Sequence, residues 1–252
     1  VTSGTTGQTE AVAEKILERA ASAGLAVKLI GGLGCWFSIR EHAGAGRYQR
    51  DYGDVDIIVP KRSRSALAAL LSPPLFQPNT AFNAVQGETR LMFASSGGCK
   101  VDVFVGEFEM SHRVPFADAS FAGPASPAPP PELLLTKLQL HAITAKDIGD
   151  VTGLLAFLAP GADIDTGRFT APLAADWGIW RTVTDNLEAV ADAAGEDLGE
   201  HRDRVRAAAG QLLGAANGVP KSLRWKARSR IGDRVPWYQQ PEEPETEPTL
   251  VR

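Results

Sequence analysis

Five of the ten residues in the stretch 122–131, AGPASPAPPP, are proline. Proline fixes φ and donates no backbone hydrogen bond, so the stretch reads as loop or extended linker, not helix interior or central strand. It divides the chain into parts of different character. Before it, short β runs alternate with helical patterns. After it, one helical pattern follows another. The expectation is an α/β protein: a small mixed β-sheet domain at 1–121, a linker at 122–131, a helical domain at 132–218, and a tail at 219–252.

In the first part, residues 8–23 carry Val12, Ile16, Leu17 and Ala20 at helical spacing, and Gly24 stops the run. LAVKLIGG is a β run ending in two glycines, and LGCWFSIREHA reads as helix. A polar, Gly-rich loop leads to DVDIIVP, a strand closed by Pro60. KRSRSALAALL is a short helix ended by Ser72-Pro73-Pro74. AFNAVQ and TRLMFAS, separated by Gly87-Glu88, read as a β-hairpin. CKVDVFVG is a further strand. In the second part, ELLLTKLQLHAITA predicts an amphipathic helix and KDIGDVTGLLAFL the next. Two more helical patterns cover 170–194 and 198–216.

The tail splits by charge. Residues 221–234 hold six bases against one acid, and read either as a solvated strap or, with Trp225 and Trp237, as an RNA-holding segment. Residues 241–248, PEEPETEP, hold four acids and no base, a composition that predicts disorder.

Lys+Arg number 26 and Asp+Glu 30, a net charge of −4, which excludes a strongly basic nucleic-acid binder. No apolar run approaches the ~20 residues of a membrane span. The first residues lack the basic and apolar regions of a secretory signal. Cys35 and Cys99, the two cysteines, have no metal-binding spacing. The expectation is a cytoplasmic protein with reduced thiols and no membrane partner.

The residues with chemistry are carboxylates inside apolar runs. Asp54 and Asp56 stand at i and i+2 on one strand, so both point to one face while Val55, Ile57 and Val59 point to the other. Like charges this close need water or a cation between them. They are either a solvent-facing edge or a site for a hard ion such as Mg²⁺. Asp102 lies in KVDVFV, and an adjacent antiparallel strand would bring it beside them. Gly31 and Gly32 join a strand to a helix, either as a plain tight turn or to let backbone N–H groups approach an anion.

Strand, Gly-Gly, helix, Asp-x-Asp and a third Asp on a later strand, in this order, resemble the DNA polymerase β-like nucleotidyltransferase superfamily. Arg50 before the Asp-x-Asp, and TKLQLHAITAKDIGDVTGLL, make the chain most similar to the bacterial abortive-infection and toxin-type members and their antibiotic-modifying relatives. The resemblance spans about residues 10–158. It implies a nucleotidyltransferase-like sheet domain that moves a nucleotide from an NTP to an acceptor hydroxyl, on an RNA end or a small molecule such as an antibiotic. A non-catalytic binding or regulatory module of this fold is the alternative. The likeness to toxin-type members leaves an antitoxin partner open. Asp54 and Asp56 would bind Mg²⁺. Asp102 would complete the second metal site or take the hydroxyl proton. Gly31 and Gly32 would cradle the triphosphate. Lys137 would contact phosphate, with Asp147 or Asp150 positioning Lys137 or the nucleotide. The chain departs from the family at Leu33, where a Ser or Thr often follows the glycines.

Without the resemblance, Lys137 reads as a snorkelling surface lysine, and Asp147 as a charge favoured at a helix start. His42, His112, His141 and His201 have no metal-ligand spacing. GTTGQT at 4–9 lacks the ending of a phosphate loop, and Gly32-Leu33-Gly34 fails as a dinucleotide fingerprint at Phe37.

Overall fold

A computed structural model describes residues 6–44 and 46–240, so the acidic stretch 241–248 lies outside the described residues. The chain runs α1 (Thr6–Ser22), β1 (Lys28–Leu29), α2 (Gly31–Ala43), β2 (Asp54–Val59), α3 (Arg64–Leu70), β3 (Phe76–Pro78), α4 (Thr80–Gln86), β4 (Arg90–Ser95) and β5 (Lys100–Val105). Then come β6 (Glu107–Glu109), β7 (Arg113–Pro115), β8 (Ser126–Pro127), α5 (Pro130–Leu138) and α6 (Ala145–Phe157). Helices α7 (Thr166–Ala175), α8 (Trp177–Ala193), α9 (His201–Gly218) and α10 (Leu223–Ser229) follow. The fold is a mixed α/β sheet followed by helices. No helix among the described residues is long and apolar enough to cross a membrane.

Six strands form one sheet in the order β3-β4-β5-β2-β1-β8, and β6 pairs with β7 in a separate ribbon. Strand β2 lies antiparallel to β1 and parallel to β5. The alternation in DVDIIV is met: Val55, Ile57 and Val59 are fully buried on one face. Helix α1 contributes Ala13, Ile16 and Ala20 to the same continuous core. Helix α2 packs on β2 and also against α5 and α6, so it is the element shared by sheet and helices.

Four expectations need correction. AFNAVQ is not half of a hairpin; it is α4, capped by the Asn79 side chain, which accepts from Phe82 N at 3.1 Å. The strand paired with β4 is the earlier β3. The Asn79 cap outweighs the β-compatible residues Phe82 and Val85. Second, β2 and β5 are parallel, not antiparallel, because α3, β3, α4 and β4 intervene as a crossover. Third, α5 is buried on every side from Pro131 to Leu138 and is not amphipathic, because α2, α6, α7 and α8 all surround it. Fourth, 170–194 contains two helices, broken where Asp176 caps α8 by accepting from Gly178 N and Ile179 N.

The proline stretch is extended, as its composition dictates, but part of it joins the sheet. Ser126 and Pro127 pair in parallel with Lys28 and Leu29. The buried Lys28 Nζ donates to Ala122 O, Pro124 O and Ser126 Oγ at 2.8–2.9 Å, and burial lowers its pKa. Pro130 and Pro131 then open α5, where a missing N–H costs nothing.

Candidate active site

Strand alternation and the parallel register place Asp54, Asp56 and Asp102 on one face of the sheet, with Asp56 directly opposite Asp102. Their surroundings differ. Asp54 is exposed, Asp56 is partly exposed, and Asp102 is 2% exposed. Burial, then the negative charges of Asp54 and Asp102, push the Asp56 carboxyl up to about 7. Lys137 and Lys100 act on it in the opposite sense.

Asp102 is already neutralised. Its Oδ2 accepts from Arg90 Nη2 at 2.9 Å and sits 3.0 Å from Lys100 Nζ. Arg90 comes from β4 and is braced by the rings of Phe104 and Phe82, 5.0 and 5.8 Å from its guanidinium carbon. The other oxygen, Oδ1, is buried without a hydrogen-bond partner. Neither Arg90 nor Lys100 was singled out in the sequence. Lys100 stands two residues before Asp102 on the same strand, a local signal that went unread, whereas Arg90 meets Asp102 only through the antiparallel register of β4 on β5.

Gly31 opens α2 with φ +66°, a region that L side chains rarely adopt. A Cβ there would collide with Asp56 Oδ2. The carboxylate of the second strand aspartate thus presses against the first turn of a helix. At Gly32 a Cβ would collide with the Arg50 guanidinium and lie 3.2 Å from Asp150 Oδ2. Both glycines are needed for close approach, one by a carboxylate and one by an arginine. The next residue, Leu33, is 2% exposed and packs into the core, so it brings no hydroxyl to this turn.

Behind Gly32 lies a buried ionic network. Arg50 donates from Nε to Asp150 Oδ1 at 2.9 Å and from Nη2 to Asp150 Oδ2 at 2.8 Å. Lys137 Nζ lies 2.9 Å from both Asp150 Oδ2 and Asp147 Oδ1. Asp147 is the N3 residue of α6 in a capping box, accepting from Thr144 Oγ1 at 2.6 Å and Thr144 N at 3.2 Å. Both readings of Asp147 therefore hold: helix-start charge and partner of Lys137. The snorkelling reading of Lys137 is corrected, since its side chain is 10% exposed and fully paired. Despite burial, which alone would lower it, the carboxylates raise its pKa, and Lys137 in turn lowers that of Asp147. The Thr144-x-x-Asp147 spacing before an apolar run was a readable signal for this cap.

No protein-family model and no curated protein matches the chain.

The residues can be tested against the Mg²⁺ that the resemblance implies. Among the described residues, no group of three or more His, Cys, Asp or Glu side chains is gathered to hold a metal ion. Asp102 spends its charge on Arg90 and Lys100. Among the described residues no cation is ion-paired with Asp54 or Asp56, and the repulsion that Asp54 and Asp102 exert on Asp56 is what a hard cation relieves. Two carboxylates fit Mg²⁺, which keeps its other positions for water and phosphate oxygens.

The basic segment lies against other elements. Helix α10 packs on α7 and α8, with Arg228 over the Trp177 ring at 4.8 Å and Lys221 over Trp180 at 5.6 Å. Arg224 and Arg228 line a cavity whose lining includes none of Asp54, Asp56 or Asp102.

Proposed function

We propose that the protein transfers a nucleotide from a nucleoside triphosphate to an acceptor hydroxyl, with release of pyrophosphate. One observation carries this reading: the Asp56 carboxylate is packed against the positive-φ Gly31 that opens α2. A cation ligand and a helix N-terminus, which favours anions, are thereby side by side. A triphosphate bound through a cation needs both.

In this reading Asp54 and Asp56 would hold Mg²⁺, which when bound would supply positive charge to the triphosphate and the leaving pyrophosphate. The first turn of α2 takes phosphate oxygens against Gly31 and Gly32. Arg50, held flat by Asp150, puts a guanidinium edge over Gly32. Lys137 is a positioning residue: it neutralises Asp147 and Asp150 and so fixes Arg50. The acceptor oxygen bonds to the α-phosphorus as the bond to the pyrophosphate oxygen breaks. Asp102, across the register from Asp56 and with its Oδ1 unpartnered, is the carboxylate that would take the released proton.

A second reading is nucleotide binding without transfer. It is favoured by Asp102, whose charge is already taken by Arg90 and Lys100. Calorimetry with each NTP, with and without Mg²⁺, tests what the two readings share. Mg²⁺-dependent binding that is lost in Asp54→Asn and Asp56→Asn supports both, and binding indifferent to those substitutions or to Mg²⁺ refutes both. An RNA end or a hydroxyl-bearing antibiotic is the acceptor in the first reading, an antitoxin is a partner in either, and the cytoplasm is the proposed location.

A further inference from the structure

A cavity of about 670 Å³ opens between the β6–β7 ribbon, the α7–α8 junction, α10 and residues 236–239. That volume lies within the ~300–1,000 Å³ range of small-ligand sites. Its walls are aromatic: Trp177, Trp225 and Trp237 all line it. The walls are also fastened. Trp237 Nε1 donates to Thr182 Oγ1 at 3.3 Å, and the same hydroxyl meets His112 Nε2 at 2.8 Å. Gln239 N donates to Ser111 O at 2.9 Å, which ties the last described residues to the β6–β7 turn.

The charges of the lining are unevenly committed. Glu109 is paired with Arg113 at 3.3 Å. Asp176 caps α8. Arg228 is used up by Gly232 O at 2.5 Å, Val235 O at 2.9 Å and the Trp177 face. Arg224 remains: exposed on α10, it has no side-chain partner among the described residues. Burial holds His112 at about 4, so it adds no charge at neutral pH. Each acid of the lining is therefore committed within the protein, and among the described residues the Arg224 guanidinium has only solvent. Trp177 and Trp237 meet edge to face at 6.0 Å, so a flat apolar body would lie against the indoles that line the cavity, with an anionic group on the Arg224 guanidinium.

We propose that this cavity binds a small planar aromatic anion, ring against the tryptophans that line it and anionic group on Arg224. The site is separate from the aspartates and does not depend on nucleotidyl transfer. The test uses the full chain in EDTA with 2-naphthoate as probe. Titration followed by the indole N–H resonances should show saturable shifts of Trp177, Trp225 and Trp237, with Trp36 of α2 unmoved. By calorimetry, 2-naphthoate should bind at least tenfold more tightly than uncharged 2-naphthalenemethanol or non-aromatic cyclohexanecarboxylate. Arg224→Gln, at an exposed position that leaves the fold intact, should weaken 2-naphthoate at least tenfold and leave 2-naphthalenemethanol unchanged. Absence of saturable binding, shifts that include Trp36 equally, or an Arg224→Gln protein that binds 2-naphthoate like wild type would each overturn the proposal.

Discussion

Arg50 and Asp150, one hundred residues apart in sequence, face each other through two hydrogen bonds of 2.9 and 2.8 Å. The pair joins the loop before β2 to α6, and Asp150 also holds Lys137 of α5. Three segments distant in the chain thus meet behind Gly32. Paired charges with little exposure contribute less than their Coulomb attraction suggests, but removing one partner strands the others.

Lys137→Met should therefore destabilise the protein by about 3–5 kcal/mol, because Asp147 and Asp150 are left buried without their cation. Asp147→Asn should cost less, since the amide oxygen still accepts from Thr144. Urea unfolding of both variants checks the order. Equal, small losses would mean that the network is solvated.

Gly31→Ala should cost about 2 kcal/mol or more. An L side chain at φ +66° carries roughly 1–2 kcal/mol by itself, and the collision with Asp56 adds to it. In an Asp56→Ala background only the backbone part should remain. A double-mutant cycle of unfolding free energies reads the difference, and strict additivity would show that the two groups do not touch.

Asp56 gives the metal-free protein a pH dependence of definite sign. Its folded pKa, about 7, lies above the ordinary value of 3.8. The folded state then binds the proton more tightly, so this contribution is present below pH ~4 and is lost as pH rises through 7. Asp56→Asn should remove that dependence and gain about 1–3 kcal/mol on wild type between pH 4 and pH 8, less than the full shift because Asp56 is coupled to its neighbours. Urea melts in EDTA at the two pH values check this. A difference between variant and wild type that does not change with pH would contradict it.

Much of this site was legible in the sequence, for local reasons. The i, i+2 spacing of Asp54 and Asp56 sets their common face whatever the rest of the chain does. Gly31-Gly32 at the end of a β run marked the strand-to-helix turn. What was illegible is set by partners far along the chain. Whether β5 lies parallel or antiparallel to β2 depends on the crossover between them, and the meeting of Arg90 with Asp102 depends on the antiparallel register of β4 on β5. Helix α4 was missed because residues of good β propensity follow a strong cap at Asn79, and tertiary placement decided between them. The burial of Lys137 was invisible because its neutralising carboxylates lie ten and thirteen residues on, in another helix.

Removing the cations on Asp102 tests its assignment. Lys100→Met alone should be tolerated at about 1 kcal/mol or less, since Arg90 keeps its 2.9 Å hydrogen bond and Lys100 is over a third exposed. Arg90→Met alone should cost more, because Arg90 is the better-buried partner. The double variant should lose more than the sum, because only there is Asp102 a bare buried carboxylate. Thermal unfolding of the four proteins measures this, and additive losses would place the charge of Asp102 in solvent.

The central claim is that Asp54 and Asp56, against the Gly31 turn, support nucleotidyl transfer. Its most direct test is label transfer: wild type and Asp56→Asn, each with every α-³²P-labelled NTP, Mg²⁺, and either total RNA or a panel of hydroxyl-bearing antibiotics. Asp56→Asn must first be shown to unfold like wild type near pH 4, below which residue 56 is uncharged in the folded state of both proteins. Wild type should label one acceptor class in a Mg²⁺-dependent manner and release pyrophosphate, and Asp56→Asn should label it at least a hundredfold more slowly. Equal labelling by the two proteins, or no labelling of any acceptor by wild type, would contradict it.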